Sequence, residues 1–205
     1  MSFDAAVIDK GLRHLRKKDT VLANVIKTVG PFTLKKIPGG FEVVVRSILS
    51  QQISTAAAAT IRKRLEALLP DGKIVPESLS QLTDEQLQSA GLSNQKRTYV
   101  RDLTEKTLDG TINFRRIARQ SDNDAIAELI QVKGIGRWTA QMYLMFSLGR
   151  LDVFAPDDLG LQNAIKALYE IPEKPKRTHF ETVAEVWAPY RSIASWYLWR
   201  SLEKK

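Results

Sequence analysis

Residues 122–148 read DNDAIAELIQVKGIGRWTAQMYLMFSL. Apolar positions recur at helical spacing on both sides of the connection Lys133-Gly134-Ile135-Gly136, which predicts two amphipathic helices joined by a tight turn. Two glycines around one apolar residue suit that turn. Gly134 and Gly136 reach backbone conformations that side chains resist, while Ile135 points inward and pins the turn to the core. Glycines also let a ligand come close to the amides. The N–H groups of Gly134, Ile135, Gly136 and Thr139 then gather at the positive end of the second helix's dipole, a place suited to an anion such as a phosphate.

The same periodicity extends outward. Ile8, Leu12 and Leu15, then Leu22, Val25, Ile26 and Val29, then Phe41, Val44, Val45, Ile48 and Leu49 each line one helical face. The expected class is all-α. Of the two strand candidates, FEVVV continues a longer helical pattern and KIVP is too short to build a sheet. Turn signals separate the helices at Pro31, Pro38-Gly39-Gly40, Pro70-Asp71-Gly72, Gly110 and the basic segment IPEKPKR, 171–177. Helix starts are expected at Ser54, at Asp122 and around Asp157, because Ser and Asp side chains accept bonds from first-turn amides. The run TAAAAT, 55–60, reads as a face for close backbone packing.

The 205 residues are 43% hydrophobic, enough for a sizeable core and too apolar for a disordered or fibrous chain. Lys and Arg number 31 against 23 Asp and Glu, and the formal charge of +8 favours polyanionic partners. With no cysteine, disulfides, thiolate zinc sites, cysteine nucleophiles and cysteine-held iron–sulfur clusters are excluded. No apolar run approaches the ~20 residues of a membrane span, and the start MSFDAAVIDKGLRHLRKK lacks a signal-peptide core. A soluble, unexported protein with no membrane partner is expected.

LIQVKGIGRWTA, 129–140, resembles the helix-hairpin-helix of the DNA glycosylase superfamily, and within it the 3-methyladenine DNA glycosylase II branch in its short form without an N-terminal β-domain. ILSQQIS, 48–54, and DVFAPDDLGLQ, 152–162, match further motifs in the right order, and GLSNQKRTYVRDL, 91–103, looks like the family's intervening segment. The resemblance implies two helical lobes, 38–149 with the hairpin and 1–37 plus 150–205 formed by both termini, with a cleft between them. It implies a monomer acting on double-stranded DNA with damaged bases, in a bacterial cytoplasm on the nucleoid or in a nucleus. By the same resemblance Asp158 is catalytic, with Asp157 its helix-capping neighbour.

The chemistry can be argued independently. Breaking an N-glycosidic bond builds positive charge on the deoxyribose, and a carboxylate kept ionised near a helix start stabilises it. A general acid for the departing base is not evident, since His14 and His179 lie outside every motif. Alkylated purines, already cationic or electron-poor, need little protonation. At Trp138 the strand-cutting branch of the superfamily carries a lysine nucleophile. Tryptophan there implies attack by water and an intact abasic site. Lys133, across the turn, reads as a phosphate or solvent contact.

A base inside a duplex must be flipped out and held, and aromatic faces hold cationic bases well. The resemblance assigns Trp138 and Trp199 to the base pocket, and puts Met142 and Gly160 where relatives carry a pocket aromatic or leucine, which implies a shallower or more open pocket. Trp187 and Trp196 read as core. By the same resemblance Gln52 is the wedge that fills the gap in the stack, with Gln51 or Ile53 beside it, the plainer reading being that Gln51 and Gln52 are helix-end solvent contacts. No cofactor is expected, but the resemblance implies a sodium or potassium ion on the carbonyls of Ile130, Val132 and Gly134. The competing readings are a non-catalytic lesion-sensing DNA binder and a glycosylase for mismatched or oxidised bases, the latter weakened by the missing lysine and cysteines.

Overall fold

The computed structural model describes residues 3–203, and residues 1–2 and 204–205, the outermost parts of the expected terminal lobe, lie outside it. Among the described residues there is no β-strand. In chain order the helices are α1 (Ala5–Lys18), α2 (Thr20–Val29), α3 (Phe41–Ser50), α4 (Thr55–Ala67), α5 (Pro76–Ser80), α6 (Asp84–Ser89) and α7 (Asn94–Leu108). They continue with α8 (Phe114–Ile117), α9 (Asp122–Leu129), α10 (Arg137–Tyr143), α11 (Leu159–Leu168), α12 (Arg177–Glu185) and α13 (Arg191–Glu203). No helix of the described residues is long and apolar enough to cross a membrane. The chain forms two compact units, one of residues Pro38–Tyr143 and one of the residues up to Ile37 with those from Leu144 onward.

The FEVVV segment is helical because its apolar residues serve one face. Phe41, Val44, Val45, Ile48 and Leu49 of α3 are all buried in the central unit, where α4 and α7 pack against that helix. Ser54 caps α4 by accepting from the Ala57 amide at 3.2 Å, an interaction worth about 1 kcal/mol. The TAAAAT run behaves otherwise than expected. Its residues are exposed apart from a half-buried Ala58, and α4 instead buries Leu65, near its end. The α9 cap is Ser121, one residue before the expected start, and α9 stops at Leu129, so the connection to α10 runs over 130–136. Ile135 is buried within it, as its apolar side chain predicts.

In the unit formed by both ends, α1 and α2 meet at Asp19. Its carboxylate accepts from the Leu22 amide, the Tyr169 hydroxyl and the Trp187 indole at 2.7–2.8 Å, so a buried charge is fully hydrogen-bonded. Burial, with Asp19 alongside, pushes the Tyr169 hydroxyl far above its ordinary range. Helix α13 buries Ser192 through Leu198 in succession and packs on α2 and α11, and the core tryptophans expected at 187 and 196 are buried. This helix also fastens the loop that leads to α11. Ser192 Oγ donates to the Arg150 carbonyl and accepts from the Val153 amide, while Arg191 makes a two-pronged pair with Asp152 at 2.8 Å on each oxygen.

Candidate active site

The loop clamped by Ser192 delivers Asp158 to the start of α11. Asp158, and not Asp157, is the helix cap: its Oδ1 accepts from the Leu161 amide at 2.8 Å. Asp157 turns outward and pairs with Arg177 at 3.0 Å. The Asp158 side chain is buried to nine-tenths, and Trp199 Nε1 donates to the same Oδ1 at 2.9 Å. Trp199 stands two turns along α13 from Ser192, roughly 10 Å, so one helix face holds both the loop's root and its carboxylate. The acid pair, unresolvable by charge alone, is thus divided by burial. Phe146, in a π-helical stretch at Leu144–Leu148, packs on Trp199 with centroids 5.9 Å apart.

Gly160 does not open the site. A Cβ there would stand 3.0 Å from Trp199 Cδ1 and 3.1 Å from Asp158 Oδ1, so the indole occupies the space that a side chain would take. Glycine is what lets Trp199 reach the carboxylate. Gly160→Ala is therefore expected to displace the Trp199–Asp158 hydrogen bond by a few tenths of an ångström and slow catalysis about tenfold with little change in melting temperature. Tryptophan fluorescence and single-turnover rates measured on one preparation check this. Beside the carboxylate, Leu159 is 73% exposed, a residue the sequence reading passed over. Its signal is position: it follows a cap and lies off the face of α11 that buries Leu161, Ala164 and Ile165.

In the central unit the hairpin turn is held from α7. Tyr99 lays its ring against Gly134, whose φ of +79° is the left-handed conformation that favours glycine. Asp102 Oδ2 accepts from the Lys133 amide at 2.8 Å and from Lys106 Nζ at 2.8 Å, and Lys106 also donates to the Gln131 carbonyl. The Lys133 side chain is solvent-exposed, with Nζ 3.7 Å from Asp102. Gly136 differs from Gly134. It has no left-handed φ, and a Cβ there would meet nothing within 4 Å, so the turn does not need its conformational freedom. The first bond of the α10 ladder runs from Ala140 to the Gly136 carbonyl, which leaves the amides up to Thr139 outside that ladder. Trp138, about half exposed, and half-buried Met142 lie one turn apart on α10.

Burial by itself would raise the Asp102 pKa, yet the Lys106 ammonium and the Lys133 amide outweigh it and hold the carboxyl below its usual range. A depressed carboxylate pKa contributes stability that is fully present above about pH 4 and is lost as pH falls through the lowered value. The stability gap between wild type and Asp102→Asn should accordingly be constant from neutral pH to about pH 4 and close below it. Urea melts across that range read it directly.

The α3–α4 turn carries the wedge candidate. Gln51 Nε2 donates to the Gly134 carbonyl at 3.0 Å, tying this turn to the hairpin. Gln52 is exposed, and its φ of 56° is one of two positive values among the described non-glycine residues. Ile53 is also exposed. For a cation, the Val132 carbonyl accepts from the Ile135 amide and the Gly134 carbonyl from Gln51. Each keeps a second lone pair, and three neutral carbonyls with Ile130 are a donor set suited to a hard monovalent ion. His14 lies at the Val186 carbonyl and His179 accepts from the Lys176 amide, so both histidines have structural positions.

Comparison with known proteins bears on the chain as a whole. The family described as HhH-GPD superfamily base excision DNA repair protein matches residues 45–189. DNA-3-methyladenine glycosylase 1 of Schizosaccharomyces pombe is 33% identical over 195 residues, 92% of this chain and 85% of the relative. Among solved structures, a DNA-3-methyladenine glycosidase from Bacillus halodurans superimposes with a TM-score of 0.88 at 36% identity, covering 95% of this chain and 89% of that one. The 3-methyladenine DNA glycosylase of S. pombe in complex with abasic DNA gives 0.83 at 32% identity, with 95% and 97% covered.

Proposed function

The chain belongs to the HhH-GPD superfamily of base excision DNA repair proteins, and from that membership we propose that it is a monofunctional DNA glycosylase that releases flipped alkylated purines of the 3-methyladenine and 7-methylguanine type. The observation that carries the reading is the buried Asp158 carboxylate, oriented through one oxygen by a helix amide and the Trp199 indole. As the bond from C1′ to the purine nitrogen breaks, its electron pair leaves on the cationic base and neutralises it. Asp158 balances the positive sugar, water bonds to C1′, and its proton passes to the carboxylate or to solvent. With tryptophan at 138 no amine stands ready to form a Schiff base, so the product is an intact abasic site.

Trp138 and Trp199 supply aromatic faces for the electron-poor base, and Met142 an adaptable apolar one. The amides of Gly134, Gly136 and Thr139 grip the duplex backbone, while the Ile135 amide, spent on the Val132 carbonyl at 3.0 Å, braces the turn instead of meeting a phosphate. A sodium or potassium ion on the Ile130, Val132 and Gly134 carbonyls would add positive charge when bound. Gln52 enters the stack. The protein works where DNA is held, on a nucleoid or in a nucleus. Chromatography of bases released from methylated DNA tests the whole reading. Free methylated purines and abasic sites that break only under alkali are expected. No released base, or an enzyme–DNA adduct trapped by borohydride, overturns it.

A further inference from the structure

We propose that Lys96 is a positioning residue for the wedge: its ammonium, seated on the Leu49 carbonyl, locks the end of α3 so that Gln52 stays projected. The inference rests on the wedge role of Gln52 and begins with an anomaly in how α3 ends. A helix commonly closes with a glycine in the left-handed conformation one residue past its cap. Here Gln51 is the cap, and the residue after it is Gln52, at φ 56°. A glutamine holds the place where glycine is ordinary, in a conformation that L side chains resist. Strain of this kind persists only where the surroundings enforce it.

The last carbonyls of α3 show what does. Ser47 receives the Ser50 hydroxyl at 2.9 Å, Ile48 receives the Gln51 amide at 3.3 Å, and Leu49 receives Lys96 Nζ at 2.6 Å. The first two are local bonds. The third crosses 47 residues of sequence and brings a full charge to the negative end of the helix dipole. Lys96 is 9% exposed, and no carboxylate of the described residues pairs with it, so the helix end is its counterion. Burial accordingly pushes its pKa down from the ordinary lysine value. The Gln51 side chain completes the frame by bonding to Gly134, on the hairpin that Tyr99 and Asp102 of the same α7 hold. A wedge must resist the duplex as the stack tries to close. On a turn free to relax out of the left-handed conformation, Gln52 would retreat.

A double-mutant cycle tests this. Lys96→Met, Gln52→Ala and their combination are compared for single-turnover release of an alkylated purine from duplex DNA and for thermal midpoint. If Lys96 acts through Gln52, each single change slows release about tenfold and the double variant is no slower than the slower single, whereas Lys96→Met lowers the midpoint equally in both backgrounds. Multiplying effects, about a hundredfold in the double variant, overturn the proposal while leaving the wedge reading intact. Normal release by Gln52→Ala alone overturns the wedge reading and this proposal with it. Should Lys96→Met fail to fold, Lys96→Gln, which keeps a donor and removes the charge, goes through the same cycle with the same expectations.

Discussion

Asp158→Asn is expected to slow release of methylated purines by about 10²–10³-fold or more while leaving duplex binding and melting temperature nearly unchanged. The separation follows from what each atom of the side chain does. Oδ1 accepts from the Leu161 amide and from Trp199 Nε1, and an asparagine carbonyl oxygen can accept both. Asparagine is as good a helix cap as aspartate, so the first turn of α11 keeps its support. What disappears is the negative charge that the proposed reaction needs beside the sugar. Asp158→Ala is the contrast: it loses the cap as well, and should destabilise the fold by about 1 kcal/mol on top of the catalytic loss. Single-turnover rates, binding to an abasic duplex and thermal melts of both variants make the check. Normal turnover by the asparagine variant would remove Asp158 from the catalytic role.

How much of this was legible in the residues can be judged at particular positions. The helical reading of FEVVV succeeded because periodicity outweighs strand propensity when one face must be buried. Pattern also sufficed for the inward turn of Ile135 and for the buried tryptophans at 187 and 196. Choosing the cap between Asp157 and Asp158 was beyond it, because both residues cap well. The choice was made by Trp199, which is 41 positions away and donates to only one of them. Gly160 misled for the same reason. A missing side chain looks like empty space in a sequence, and here the space is filled by that indole. The supports of the α3–α4 turn and of the hairpin turn lay in a segment noticed only as a family stretch. Lys96, Tyr99 and Asp102 fall at helical spacing on α7, but their partners stand at Leu49, Gly134 and Lys133, pairings that only the tertiary fold creates.

The two hairpin glycines should separate by opposite signatures. Gly134→Ala forces a side chain into a left-handed φ, at about 1–2 kcal/mol, and drives its Cβ into the Tyr99 ring, an overpacking of about 1–3 kcal/mol. The expected drop in melting temperature is on the order of 5–15 °C, with duplex affinity falling because the turn's amides move with its backbone. Adding Tyr99→Ala removes the collision but not the backbone cost, so the double variant should recover roughly half of the lost stability. At Gly136 neither cost arises. Ala fits the backbone and meets nothing within 4 Å, so Gly136→Ala should hold or slightly raise stability, by up to about 1 kcal/mol. If a phosphate approaches those amides, the new methyl group stands in its path and affinity for duplex DNA falls even so. Thermal melts and salt titrations of binding, run on both variants, give the answer. A Gly136→Ala protein that binds duplex DNA like wild type would place the backbone contact elsewhere than at this turn, while a Gly134→Ala protein of unchanged stability would mean that Tyr99 does not hold the turn.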